Sequence, residues 1–206
     1  MARGRLHPGV YSRHEKPLMS HSAIRFFPLV VALLGGCAEP LPARSPDPVR
    51  ASTPPAARPA LRPTQMKPAD IRAMLAHHNA VRAKVGVAPL RWDEGLAAQA
   101  QQWADHLAAN GCRMRHRQPN RYGENLFQGT ARHYRAIDAA QGWESEKALY
   151  RGGAISEDNY RQIGHYTQMV WRATSQLGCG EAICNATRLV ACNYNPPGNT
   201  LGRTPY

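Results

Sequence analysis

Nine prolines lie between Ala38 and Pro68, among alanines, arginines and serines, and this stretch decides where the chain can build a core. Each proline lacks a backbone N–H and fixes its own φ, so a run of them cannot continue a helix or enter a sheet. The stretch has little apolar content and no internal repeat. It is therefore expected to be a disordered, partly polyproline II tether over residues 37–68. Any packed domain must lie outside it.

Upstream, Phe26-Phe27-Pro28-Leu29-Val30-Val31-Ala32-Leu33-Leu34-Gly35-Gly36 follows Arg25 and ends in small residues before Cys37. That order is the anatomy of an export signal, expected over residues 1–36. The run is shorter than the roughly 20 apolar residues a membrane-spanning helix needs. Leu34-Gly35-Gly36-Cys37 is similar to a bacterial lipobox, in which the cysteine is acylated and becomes the new N-terminus. The chain is then expected to be exported and held at the cell envelope through lipidated Cys37, with residues 38–68 as the spacer. An ordinary signal peptide and a secreted product form the alternative. Residues 1–18 are polar and basic for an n-region, and a start at Met19 would give a more usual signal.

Residues 69–206 are long enough for one compact domain. Ile71, Met74, Leu75, His78 and Val81 recur at helical spacing after Asp70, which predicts a helix ending near Gly86. Asp93 caps a second helix that carries Leu96, Ala100, Trp103 and Leu107 on one face and stops at Asn110-Gly111. A third helix is expected from Ala131 to Tyr150, and a short fourth from His165 to Arg172. Leu177 to Ile183 and Thr187 to Tyr194 read as two antiparallel strands. Helices followed by strands give an α+β fold, with helices covering a sheet.

The formal charge is +12, which taken alone would suggest a nucleic-acid partner. Residues 69–206 hold sixteen Lys and Arg against eleven Asp and Glu, so the folded part is only mildly basic. It has no interleaved aromatic and basic module, and nucleic acid is not an expected partner. Arg113, Arg115, Arg117 and Arg121 leave room for a weak preference for anionic surfaces. Of the five cysteines, Cys37 stands apart. Cys112, Cys179, Cys184 and Cys192 can pair in three ways in an oxidising compartment. A zinc site from these four is a poorer reading, because no Cys-x-x-Cys pair occurs.

The densest stretch is Gly164-His165-Tyr166-Thr167-Gln168-Met169-Val170-Trp171. On a helix it places His165, Gln168 and Met169 on one face toward a cleft, while Tyr166 and Val170 pack inward. Around it stand His78-Asn79-Ala80-Val81-Arg82, Tyr122-Gly123-Glu124-Asn125-Leu126, Trp143-Glu144-Ser145-Glu146 and Ala191-Cys192-Asn193-Tyr194-Asn195-Pro196-Pro197-Gly198-Asn199. In this order the motifs resemble the CAP superfamily of cysteine-rich secretory proteins, insect venom antigen 5 and plant pathogenesis-related 1 proteins. The likeness runs from about Ile71 to the terminal Gly202-Arg203-Thr204-Pro205-Tyr206.

The resemblance implies an α-β-α sandwich with an antiparallel sheet, another strand near Gly123 to Gln128, and disulfides Cys112–Cys184 and Cys179–Cys192. It also brings His116, Glu124, Glu146 and His165 into one cleft. His116 is the weakest match, since Arg117 stands where the family usually has serine. Relatives often carry an extra cysteine pair just before the His-Tyr-Thr-Gln motif; residues 152–164 have none, and a more mobile loop is expected there. Two neutral imidazoles can hold Zn2+, with His116 and His165 as ligands, Glu124 and Glu146 in support, and water in the open positions.

The implied function is a non-catalytic, monomeric binding module for a lipid, a sterol-like ligand or a protein partner. A metal-dependent peptidase is the alternative, with Glu124 and Glu146 as candidate catalytic groups. Against it, the chain has no His-Glu-x-x-His helix and no nucleophile elbow around Ser145 or Thr167. A cell-surface structural or adhesive domain is the third reading.

Overall fold

A computed structural model describes residues 62–206. The export signal with its alternative start at Met19, the lipidation site at Cys37 and most of the proposed tether lie outside the described residues. The domain's packing reaches slightly upstream of residue 69: the Gln65 N–H donates to Gln101 Oε1 at 2.9 Å, and Met66 is buried in the core.

The elements are α1 (Pro68–Ala83), β1 (Arg91–Trp92), α2 (Glu94–Ala109), β2 (Gly123–Thr130), α3 (Ala136–Ser145), a 3-10 turn (Glu146–Ala148), α4 (Glu157–Met169), β3 (Gln176–Cys184) and β4 (Thr187–Asn195). Strand order is β1-β3-β4-β2. β2, β3 and β4 pair antiparallel, as expected, and β2 extends the strand anticipated near Gly123. The sheet is mixed, however, because β1 pairs parallel to β3. Two residues carry no alternation to read, and their pairing is with a segment far along the chain.

Both faces of the sheet are covered, which makes the α-β-α sandwich. On β4, Leu189 and Ala191 turn toward Ala100, Ala104 and Leu107 of α2. Val190, Cys192 and Tyr194 turn the other way, into a core shared with Met74, Trp143 and Tyr166 from α1, α3 and α4. This is the period of two expected of a strand buried on both faces. α2 can lie close on β3 because Gly178 and Gly180 have no Cβ. A methyl on Gly178 would stand 2.6 Å from the Asp93 carbonyl oxygen, and one on Gly180 would collide with the Gln101 backbone.

The cysteines pair as the resemblance implied. Cys112–Cys184 ties the end of α2 to the β3–β4 hairpin, and Cys179–Cys192 joins facing residues of β3 and β4. All four are consumed in bridges, so they form no zinc site.

Two helices differ from expectation. α3 begins at Ala136 rather than Ala131, because the N–H groups of His133 and Tyr134 close a turn on the Thr130 carbonyl. α4 begins at Glu157 instead of near His165, and it ends at Met169. Ser156 and Asn159 form a reciprocal capping box. The segment expected to be a mobile loop is thus half helix, and Ile155, Ile163 and Trp171 pack together along it. The Ile155 N–H also donates to the Arg203 carbonyl at 2.9 Å, fastening the segment to the chain's last residues.

Arg82 fixes the far end of α4. Fully buried on α1, it donates to the carbonyls of Met169, Trp171 and Thr174 at 2.9, 3.0 and 2.9 Å and to that of Ala88. These carbonyls include one left open at a helix C-terminus. Burial pulls the guanidinium down to about 10, so it keeps its charge at neutral pH.

Candidate functional site

Glu124 and Asn125 open β2, and their alternation sends the two side chains to opposite faces of the strand. The Glu124 side chain is 4% exposed, and its Oε1 accepts from His116 Nδ1 at 2.7 Å and from the Arg117 N–H at 3.1 Å. Glu146 sits where α3 tightens into the 3-10 turn. Its Oε1 accepts from His165 Nδ1 at 2.6 Å, and its Oε2 accepts from the His165 and Tyr166 N–H groups at 2.9 and 3.1 Å. The two histidines thus share one arrangement. Each has Nδ1 committed to a buried carboxylate, which leaves Nε2 as the nitrogen that faces a ligand.

The supports reach deep into the fold. The Trp143 ring lies stacked beside the His165 ring at 6.2 Å between centroids, and its Nε1–H donates to the Leu126 carbonyl. Asn125 Nδ2 donates to the His165 carbonyl at 3.0 Å and to the Tyr194 hydroxyl at 3.1 Å. Tyr194 in turn bonds His78 Nε2 at 2.9 Å. A chain of hydrogen bonds therefore runs from α1 through the sheet to the backbone of the cleft histidine.

His116, Glu124 and His165 line one small notch of about 20 Å³, together with Tyr160, Arg161 and Gly164. Glu146 stays behind His165 as its support. The notch neighbours a larger pocket of about 320 Å³ that His116, Glu124, Tyr160 and Arg161 also line. Gln168 contributes to this pocket. Its Oε1 accepts from the Gly198 N–H at 2.9 Å, and a Cβ on Gly198 would approach its Nε2 to 2.8 Å. Met169, expected beside it on the cleft face, is instead wholly buried in the core. At about 100° per residue, Met169 at i+4 lies about 40° to one side of His165 and Gln168 at i+3 about 60° to the other, enough here to send Met169 inward.

Arg161 and Tyr160 are additions that the sequence reading missed. The usable signal was the spacing of Glu157, Arg161 and His165 at i, i+4 and i+8, which follows once α4 is known to start at Glu157. Of the arginines in the loop before β2, Arg115 bonds His106 Nε2, Arg117 bonds the Gln99 carbonyl and Gln102 Oε1, and Arg121 lies over the Tyr122 ring. They form no single anion-binding cluster. Among the described residues, no group of three or more His, Cys, Asp and Glu is arranged to hold a metal ion. Any metal here would have two imidazole ligands and solvent, and the two free Nε2 positions fit that donor set.

A model of the cysteine-rich secretory protein family matches residues 75–194. The chain belongs to this family. Pathogenesis-related protein 1B of Nicotiana tabacum is 44% identical over 130 residues, covering 63% of this chain and 76% of that protein. Pathogenesis-related protein 1 of Arabidopsis thaliana is 42% identical, covering 63% of this chain and 78% of that one. Among solved structures, NaASP2 with Zn2+ superposes with a TM-score of 0.61 at 25% identity, over 68% of this chain and 86% of that chain. Venom allergen-like protein 4 of Schistosoma mansoni gives 0.51 at 29% identity, over 66% and 92%. The family's fold is the one found here, and its two disulfides suit an oxidising, extracytoplasmic setting.

Proposed function

We propose that this family member is an exported binding module whose cleft takes up a divalent cation, zinc foremost, through Nε2 of His116 and His165. The observation that carries this reading is the matched pair of Nδ1–carboxylate bonds, at 2.7 and 2.6 Å. A buried carboxylate behind each ring fixes its tautomer and orientation and raises the basicity of the opposite nitrogen. A structural relative solved with Zn2+ supports the same reading. The cation would serve ligand binding, with a lipid, a sterol-like molecule or a protein partner as the ligand. Acylation at Cys37 would keep the module at the envelope membrane.

Titration calorimetry with zinc tests the proposal. Wild type should bind, and His116→Ala and His165→Ala should each lose binding while keeping the fold. Indistinguishable heats in all three proteins would remove the tetrad as the metal site.

A second reading, a metal-dependent peptidase, is favoured by one observation: Glu124 lines the same notch as both histidines. A carboxylate beside a cation held there could take a proton from a bound water. Incubation with a broad peptide library, with and without chelator, separates the two. Chelator-sensitive cleavage that disappears in Glu124→Gln would favour the peptidase; zinc binding without turnover is the outcome expected of the binding module.

A further inference from the structure

The two disulfides differ in their surroundings. Cys179 and Cys192 are wholly buried, in the core that the sheet shares with α1, α3 and α4. A reagent meets that bridge only in the unfolded fraction, about 10⁻³ of the molecules or fewer. Cys112 and Cys184 are half-buried, just past the end of α2 and at the tip of the β3–β4 hairpin. The backbone on both sides of this second bridge is in a conformation that a Cβ disfavours. Cys112 at φ 60°, Asn185 at 49° and Ala186 at 59° are three of the four non-glycine residues with left-handed backbone among the described residues. Such residues gather at sites that change state.

Each sulfur of this bridge also has one polar neighbour. Cys184 Sγ lies 3.2 Å from the Ala108 carbonyl oxygen, in the last turn of α2, and Cys112 Sγ lies 3.7 Å from Asn185 Nδ2. A disulfide sulfur has no hydrogen to give, so the closed bridge offers that helix-end carbonyl nothing. With the bridge open, a Cys184 thiol can donate to the carbonyl and a Cys112 thiolate can accept from the Asn185 amide. The surroundings of both sulfurs therefore suit the reduced pair.

We infer that Cys112–Cys184 is a thiol–disulfide exchange site, opened in the folded domain by a dithiol while Cys179–Cys192 stays closed. One thiolate of the dithiol attacks Cys184 Sγ, the S–S bond breaks, and its electron pair leaves on Cys112 Sγ. The second thiolate then attacks the dithiol's own sulfur in the mixed disulfide and expels Cys184. Two electrons pass from the dithiol, which becomes a disulfide, and its two protons end on Cys112 and Cys184. The direction follows from the neighbours: an N–H beside Cys112 stabilises the departing charge, and a carbonyl oxygen beside Cys184 repels it. Opening frees the first anchor of the segment that carries His116, whose later bonds to α2 and Glu124 remain.

Timed reduction of the exported protein by dithiothreitol in native buffer, with alkylation and peptide mapping, tests this. Cys112 and Cys184 should be labelled at least about a hundredfold faster than Cys179 and Cys192, since the buried pair waits on unfolding. Glutathione, which has one thiol and stalls at the first step, should be found on Cys184 with Cys112 free. Asn185→Gly keeps the left-handed turn but removes the amide, and it should slow opening about threefold to tenfold. Amide NMR of the reduced protein should change near residues 108–118 and 183–188 and leave the centres of β3 and β4 as they were. Labelling of all four cysteines at one rate, no labelling without denaturant, glutathione on Cys112 in place of Cys184, or opening unslowed in Asn185→Gly would overturn the inference. No zinc is added at any step, so failure of the zinc reading leaves these results untouched.

Discussion

Acid should unfold this domain largely through one residue that never meets solvent. His78 is wholly buried on α1, and its Nδ1 lies 2.8 Å from the Met74 carbonyl. A carbonyl can only accept, so Nδ1 carries the hydrogen and Nε2 accepts from the Tyr194 hydroxyl at 2.9 Å. Burial pulls the imidazole from 6.5 down to about 4; the Met74 bond opposes this, while His77 and Arg82 add to it. Protonation at Nε2 would also set an N–H against the hydroxyl that now donates to it. Tyr194 would then have to turn, disturbing its contact with Asn125 and through it the His165 backbone.

The sign follows from which state takes the proton first. The unfolded chain binds it near 6.5 and the folded domain only near 4, so the contribution is fully present above 6.5 and is lost as pH falls through that window. At 1.36 kcal/mol per unit, the displacement is worth about 3 kcal/mol, a large part of the stability of a small domain. Urea unfolding at pH 7, 6, 5 and 4 on wild type and His78→Gln isolates this term, since the other titrating groups cancel in the difference. Wild type should be the more stable at pH 7, and the gap should shrink by about 3 kcal/mol by pH 4. A gap that stays constant across the window would refute the reasoning.

Two further outcomes follow from packing. Arg82→Met should destabilise the domain by at least about 3 kcal/mol in denaturant unfolding, since it strands four carbonyls that now accept from one charged group, and Arg82→Lys should recover only part of this because an ammonium lacks the fork. Gly178→Ala should cost about 1 to 3 kcal/mol because its methyl would meet rigid backbone, whereas Gly142→Ala, inside α3 with its nearest neighbour 3.9 Å away, should stabilise by about 0.5 to 1 kcal/mol; equal melting temperatures for the two would contradict the packing described.

Features written in short-range patterns were legible in the sequence. Asp93 caps α2 through the Leu96 N–H, and Asn110-Gly111 ends it, as their positions indicated. The alternation in β3 and the β-prone residues of β4 located both strands to within a residue or two. α4 was not legible at its start, because its first six residues hold one large apolar side chain, Tyr160, and the signal is a polar capping box. β1 depends on a partner more than eighty residues away. The four cleft residues came from family likeness, since no spacing in the chain brings His116 and His165 together. What likeness did not supply was their chemistry at atomic detail: which imidazole nitrogen is committed, and that Arg161 stands beside them.

The central claim, that the cleft is a two-histidine cation site held by buried carboxylates, is tested most directly by anomalous diffraction from crystals of the domain soaked in zinc. The account predicts one dominant peak about 2.0 to 2.1 Å from Nε2 of both His116 and His165, with Glu124 and Glu146 still bonded to the Nδ1 atoms behind them. A peak bound through Nδ1 or through the carboxylates, or no peak at the pair while zinc occupies other histidines, would contradict it.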